Sequence, residues 1–224
     1  DEKLAEAQLK LFRKAIRGRI SDHSLFNSGD NKEDDELWAI GQHYGLKTPL
    51  LDWTYSPYVA LFFAFAKADE AEETDNPYRA IYILNKTAIS DDEYFNDIRV
   101  LEPRKDDHGR LVNQAGLFIF SPNDLTIENK LIEVLGSEEY PDAELRNASQ
   151  DEGEEPAILA KYICKVFIKN VQQKECLKFL RRMNVHHASL FPDLIGAADY
   201  SNILIEEWEQ NRKDKKTILL QPEP

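Results

Sequence analysis

Apolar residues recur at helical spacing near the start of the chain. Leu4, Leu9, Phe12 and Ile16 are separated by Lys, Glu and Arg, which predicts an amphipathic helix over residues 2–18, closed by Gly18. Residues 23–34 are polar and turn-rich and are expected to form a mobile loop. Asp34 or Asp35 can then cap a helix carrying Leu37, Trp38 and Ile40 and ending near Gly45. The stretch Leu50-Leu51-Asp52-Trp53 is too short and mixed for a helix and is expected to be extended. Ser56-Pro57 reads as a helix start, with Ser as cap and Pro at the first helical position. From there to Ala66 the chain is apolar almost all round, which predicts a central buried helix.

Beyond the acidic stretch 69–75, which is expected to face solvent, runs of β-branched and aromatic residues predict strands at 79–84, 98–101, 117–120 and 162–168. Residues 125–135 are mixed in pattern. Residues 137–156, rich in Glu, Asp, Ser, Asn and Pro, are expected to form an exposed loop. Amphipathic helices follow at 171–183 and 193–208. The expected architecture is a single α+β domain, with a mixed or antiparallel central sheet and flanking helices.

Composition narrows the partners. The 224 residues are 42% hydrophobic and 10% aromatic, enough apolar area for a packed core. Formal charge is −13, so the counterion-release term that drives bulk nucleic-acid binding is missing globally. The basic run 212–216 reads as a solvated connector between helix and tail. Cys164 and Cys176 lack metal-ligand or Cys-x-x-Cys spacing and are expected to be buried free thiols in a reducing, cytoplasmic setting. The longest apolar run, Val59 to Ala66, is shorter than the roughly 18 residues that span a membrane. No signal peptide is visible and the chain does not begin with Met, so a further N-terminal element is expected in a parent protein.

Candidate chemistry concentrates between Gln42 and Ser56. A helix end, a Gly, an extended segment and a capped helix follow in quick succession. That layout can bring His43, Asp52, Thr54 and the amides near Ser56 towards one ligand, and a helix N-terminus offers N–H groups to an anion. Each residue also has a plainer reading. His43 can bond the last helical carbonyls, Asp52 can brace a loop, Trp53 can be core and Ser56 a cap.

The run Gln42-His43-Tyr44-Gly45-Leu46-Lys47-Thr48-Pro49-Leu50-Leu51-Asp52-Trp53-Thr54, continuing through Ser56-Pro57 into Ala60-Leu61-Phe62-Phe63-Ala64, resembles the hallmark of the FRG domain family. Two more segments agree: Arg110-x-x-x-Gln114-x-Gly116-x-Phe118, and Leu190-Phe191-Pro192-Asp193-Leu194-x-Gly196. The resemblance spans about residues 9–205. Lys47 and Pro49 depart from the usual Pro and Arg, and the loss of that Arg removes a fork suited to phosphate or carboxylate. Arg17-Gly18 has two letters of the family's naming motif but follows a helical pattern, so the defining strand is expected upstream of Asp1.

The resemblance implies an arrangement similar in plan to ADP-ribosyltransferases, with NAD as substrate. Asp52, His43 and Gln114 take the catalytic positions. Gln42, Tyr44, Gly45, Trp53, Thr54, Ser56 and Arg110 line the nucleotide. It also implies a small-molecule nucleotide partner, a protein acceptor for any transferred group, and a role in bacterial defence. A site for NAD cleavage must support positive charge growing on the ribose. Gln114 has no titrating group, so Asp52 is the carboxylate for that role. Two other readings stand beside it: a nucleotide-binding sensor without turnover, and a metal-dependent hydrolase using His43, Asp52, His186 and His187. Adjacent histidines diverge on either regular backbone, which disfavours the last.

Overall fold

A computed structural model of the chain describes residues 2–26, 31–67, 77–104, 109–120 and 125–219. In chain order its elements are α1 (Glu2–Ala15), α2 (Asn31–His43), β1 (Leu50–Thr54), α3 (Pro57–Ala66), β2 (Tyr78–Leu84), α4 (Lys86–Ser90), β3 (Arg99–Leu101) and α5 (Arg110–Asn113). There follow β4 (Gly116–Phe120), α6 (Ile127–Leu135), α7 (Ala143–Ser149), α8 (Glu155–Leu159), β5 (Ile163–Lys169), α9 (Gln173–Arg182), α10 (His187–Leu190) and α11 (Leu194–Leu219). The α+β class expected from the hydrophobic pattern is the class observed, and every strand pairing is antiparallel. Two small sheets share the strands, in the orders β1-β4-β3 and β2-β5.

The chain divides into two compact units that interleave along the sequence. The first takes Asp1–Tyr55, Asn76–Lys105 and Gly116–Asn170; the second takes Ser56–Asp75, Asp106–Ala115 and Val171–Pro224. The five strands among the described residues all lie in the first unit. Its core gathers Ile89, Phe95 and Ile98 with Ile119 of β4, Ile127, Leu131 and Leu135 of α6, Tyr140, and Tyr162-Ile163 at the start of β5, with Trp53 packed against it. Ile127, Leu131 and Leu135 recur every four residues, the stripe an amphipathic helix needs. Thr126 caps that helix through the Asn129 N–H, so the mixed-looking stretch 125–135 is helical.

Among the described residues, the regular elements of the second unit are all helices. Val59 and Phe62 of α3 pack with Leu180 of α9 and Leu190 of α10. Ser56 caps α3 and Pro57 opens it, as the sequence predicted. Uniform burial of α3 does not follow. Val59, Phe62 and Phe65 are buried, whereas Tyr58 and Phe63 are about half exposed at 50% and 46%. The fully buried residues lie on the i, i+3, i+6 face; Leu61 and Ala66 pack partly against the same cluster, and the half-exposed Phe63 meets Phe191 edge-on at 6.1 Å.

Other expectations need correction. Helix α2 begins at Asn31, so Asp34 and Asp35 sit inside it, and their carboxylates pair with Arg13 and Arg99 instead of capping. Residues 137–156 are largely exposed, as expected, yet they contain α7 and the start of α8; Asp142 caps α7 through the Glu144 and Leu145 amides. Helix α11 continues to Leu219, which puts the basic run 212–216 inside a helix. Cys164 is exposed and Cys176 half-buried, because alternation along β5 turns Cys164 away from the core-facing Ile163. The predicted acidic stretch 69–75 and part of the predicted loop 23–34 lie outside the described residues. Among the described residues no helix is long and apolar enough to cross a membrane.

Gly196, in the first turn of α11, is held at close approach. An added Cβ would stand 2.2 Å from the Phe191 carbonyl oxygen and 2.5 Å from its Cβ. Backbone cannot yield as a side-chain tip does, so Gly196→Ala is expected to cost about 2 kcal/mol or more and to lower the melting temperature by several degrees. Thermal unfolding followed by circular dichroism checks this, and an unchanged midpoint would refute the close approach.

Candidate functional site

The hallmark segment forms a corner of the first unit, built from the end of α2 and the edge strand β1. The helix stops because Gly45 adopts the left-handed conformation, with φ of +84°. The Leu46 N–H then donates to the Gly41 carbonyl at 2.8 Å, and the Gly45 N–H to the Gln42 carbonyl at 3.0 Å. That pair of bonds is a Schellman stop. Leu46 folds back over Gly41, where a Cβ would come within 2.6 Å of Leu46 Cδ2. The Gln-His-Tyr-Gly-Leu run is therefore, in the first place, a helix terminus.

That terminus aims one side chain at the strand. Gln42 Nε2 donates to Asp52 Oδ1 at 2.9 Å, and the Thr48 hydroxyl donates to Gln42 Oε1. Thr48 Oγ1 also accepts from the Leu50 N–H at 3.3 Å, where β1 begins. Both ends of the Gln42 amide are engaged, so its orientation is set, and it sets the carboxylate in turn. Asp52 is exposed and pairs in register with Phe118 of β4; Trp53, opposite Leu117, turns inward to the core. His43 is half-buried, and its ring meets Tyr44 edge-on at 5.0 Å between centroids. Tyr44 is 66% exposed, and Thr54 closes the strand half-buried.

One polar group in this unit escaped the sequence reading. Lys86 Nζ donates to the Tyr55 hydroxyl at 2.6 Å and to Glu102, and Tyr55 donates to Glu102. The hydrogen bond to Glu102, then that to Tyr55, holds the Lys86 pKa above its ordinary value; the Lys86 bond lowers that of Glu102. The three residues are far apart in sequence and belong to no motif, so no local signal marks them. Exposed ion pairs of this kind contribute little to stability.

Ser56, Arg110 and Gln114 belong to the second unit. Ser56 Oγ accepts the Val59 N–H at 3.4 Å as the α3 cap. Gln114 Nε2 donates to the Leu190 carbonyl at 3.0 Å, Arg110 Nη2 to Asp193 at 3.2 Å, and the Arg110 guanidinium lies 4.8 Å over the Phe191 ring. The two shorter family-like segments are thus partners of each other. Asp193 also accepts the Gly196 N–H at 2.8 Å, and that bond, reinforced by Arg110, depresses its pKa.

The paired histidines have separate structural tasks. His186 caps α10, its Nδ1 accepting the Ser189 N–H at 3.3 Å while the Ser189 hydroxyl accepts the His186 N–H. His187 stands edge-on to Phe62 at 4.9 Å. Both lie in the second unit, whereas His43 and Asp52 lie in the first. Among the described residues, no group of three or more His, Cys, Asp or Glu is placed to hold a metal ion.

The class these features define is an α+β domain built on a helix-stop-and-strand corner. Residues 2–73 match the model of the FRG domain family, a span that contains the whole corner from Gln42 to Thr54. The chain matches no curated protein and no solved structure.

Two predictions follow from this geometry. Gln42→Glu sets a carboxylate against Asp52 in place of the amide donor, so it should destabilise the fold by about 1 kcal/mol at neutral pH, and by less below pH 4 as the pair protonates. Denaturant titrations at the two pH values measure the difference; equal losses would refute the contact. Burial lowers the pKa of both His186 and His187, aided at His186 by the Arg181 charge and opposed at His187 by Asp199. Their neutral forms are favoured in the fold, so this contribution is fully present above the unfolded-state pKa of about 6.5 and is lost as pH falls through the lower folded values. Stability should decline between about pH 7 and pH 5, and a His186→Asn/His187→Gln variant should show a flatter profile.

Proposed function

We propose that the corner of the first unit binds NAD and cleaves its nicotinamide–ribose bond, with Asp52 as the carboxylate that faces the ribose. The observation that carries this reading is the exposed Asp52 carboxylate, oriented by the Gln42 amide at 2.9 Å. Gln42 ties it to the helix end that presents His43 and the exposed Tyr44 ring.

The bond from ribose C1′ to the nicotinamide nitrogen breaks, and the electron pair leaves with neutral nicotinamide. Positive charge then grows on the ribose, where a fixed carboxylate stabilises it with little reorganisation. Water, or a protein side chain in the transferase case, adds to C1′, and its proton passes to solvent. An exposed Tyr44 ring offers a face for the nicotinamide or adenine. Trp53, turned into the core, is left to support the strand, and Gly45 shapes the corner through its backbone. In the bacterial defence setting that the family resemblance implies, such an activity would deplete NAD or mark a protein acceptor.

A second reading has its own support. Arg110 and Gln114 are each already bonded within the second unit, Arg110 to Asp193 and Gln114 to the Leu190 carbonyl, which fits a nucleotide-binding module without turnover. Incubation with NAD and measurement of nicotinamide release separates the two. Cleavage predicts release by wild type and a loss of at least about tenfold in Asp52→Ala, the scale of a lost charge-stabilising contact. No release, with saturable NAD binding by calorimetry, selects the module. Neither release nor binding would overturn both.

A further inference from the structure

A concave site lies in the first unit and shares no residue with the corner. It is a cleft of about 830 Å³ lined by one face of α1, from Ala5 to Lys14, by Arg17 and Gly18 in the turn after it, by His23 and Phe26, and by residues of α2, β3 and β4. Its volume is within the range of small-ligand pockets, roughly 300–1,000 Å³. Five cations line it, Lys10, Arg13, Lys14, Arg17 and Arg99, against the carboxylates of Glu6, Asp34 and Asp35. In a chain of net charge −13 this is a local reversal of sign.

The cations fall into two sets. Arg13 and Arg99 are fixed. Arg13 donates through Nε to the Leu25 carbonyl at 3.1 Å and pairs with Asp34. Arg99 donates to both Asp35 oxygens at 2.8 and 2.9 Å and lies 4.5 Å over the Phe120 ring. Each guanidinium has five N–H donors, so these bonds hold the fork in place and leave further donors for a ligand. Lys10 and Lys14 follow at i and i+4 on α1, and Arg17 stands in the turn beyond it; all three line the cleft, are exposed and make no ion pair among the described residues. Arg13 and Lys14, in the last turn of α1, also suit the helix dipole. The dipole accounts for their position along the axis but not for the concavity, nor for the two tethered arginines facing it.

We propose that this cleft binds a small polyanion of the diphosphate class, its charge directed to Lys10, Lys14 and Arg17. A concave cationic wall raises the local concentration of such a ligand. The three cleft carboxylates and the acidic remainder of the chain disfavour an extended nucleic-acid backbone. The site makes no use of Asp52 and does not depend on NAD cleavage.

Inorganic pyrophosphate is the probe. Calorimetric titration of the full chain at low salt should give saturable binding, weakened in 0.5 M salt. Lys14→Glu/Arg17→Glu should weaken it at least tenfold. Lys174→Glu, the same kind of charge change on exposed α9 in the other unit, should leave it within twofold. Circular dichroism confirms folding; should the double reversal unfold the chain, Lys14→Gln/Arg17→Gln replaces it with the same expectation. Absence of saturable pyrophosphate binding, or binding equal in the double variant, would overturn the site. So would a single-stranded RNA 20-mer that binds more tightly than pyrophosphate and displaces it.

Discussion

The Gln42 side-chain amide joins the end of a helix to an edge strand, and the hallmark segment of the first unit is arranged around that joint. It donates to Asp52 on β1 and accepts from Thr48 in the connecting turn, so both of its ends are occupied. The joint forms only because the helix stops where it does. The left-handed Gly45 and the two reversed amide bonds behind it turn the chain back on itself and bring Leu46 over Gly41. Strand β1 then pairs with β4, whose Leu117, Phe118 and Ile119 are buried, and Trp53 closes onto the same core. Loss of the amide would loosen the link between the end of α2 and β1, while the ladder to β4 would still hold the strand.

The second unit repeats this logic with different chemistry. Arg110 and Gln114, one helical turn apart, hold the Leu190–Gly196 segment by its carbonyl, its ring and its carboxylate. Asp193 caps the start of α11, and Gly196 admits the Phe191 backbone at a distance no side chain would allow. Motifs that look like ligand machinery in a linear reading are, in both units, first a way of fastening helix ends. In the first unit the fastening leaves the Asp52 carboxylate and the Tyr44 ring exposed, with His43 half-buried beside Tyr44.

Charge distribution follows the same division between average and local. A net −13 describes the chain as a whole, yet the inner face of α1 is cationic, and carboxylates on α2 fix two of its facing arginines. Burial raises the Asp35 pKa against the opposing pull of Arg99. The exposed cations of the cleft lie at its Lys10–Arg17 end.

Periodicity and capping chemistry were legible in the residues alone. Alternation and β-branching located the strands, and the Ser56-Pro57 start of α3 was recognised because a cap and a first-turn proline are local signals. The hallmark segment was legible because its residues are consecutive. Sequence did not reveal that α2 begins at Asn31, ahead of Asp34 and Asp35, whose carboxylates are drawn to arginines 21 and 64 residues away. It did not reveal that α7 and α8 organise an acidic stretch, because composition reports solvent exposure and not hydrogen bonding. The clasp between the Arg110 and Leu190 segments, the Lys86–Tyr55–Glu102 cluster and the cationic cleft all join residues far apart in the chain. Local backbone preference is written in neighbouring residues; the pairing of distant charges exists only once the chain has folded.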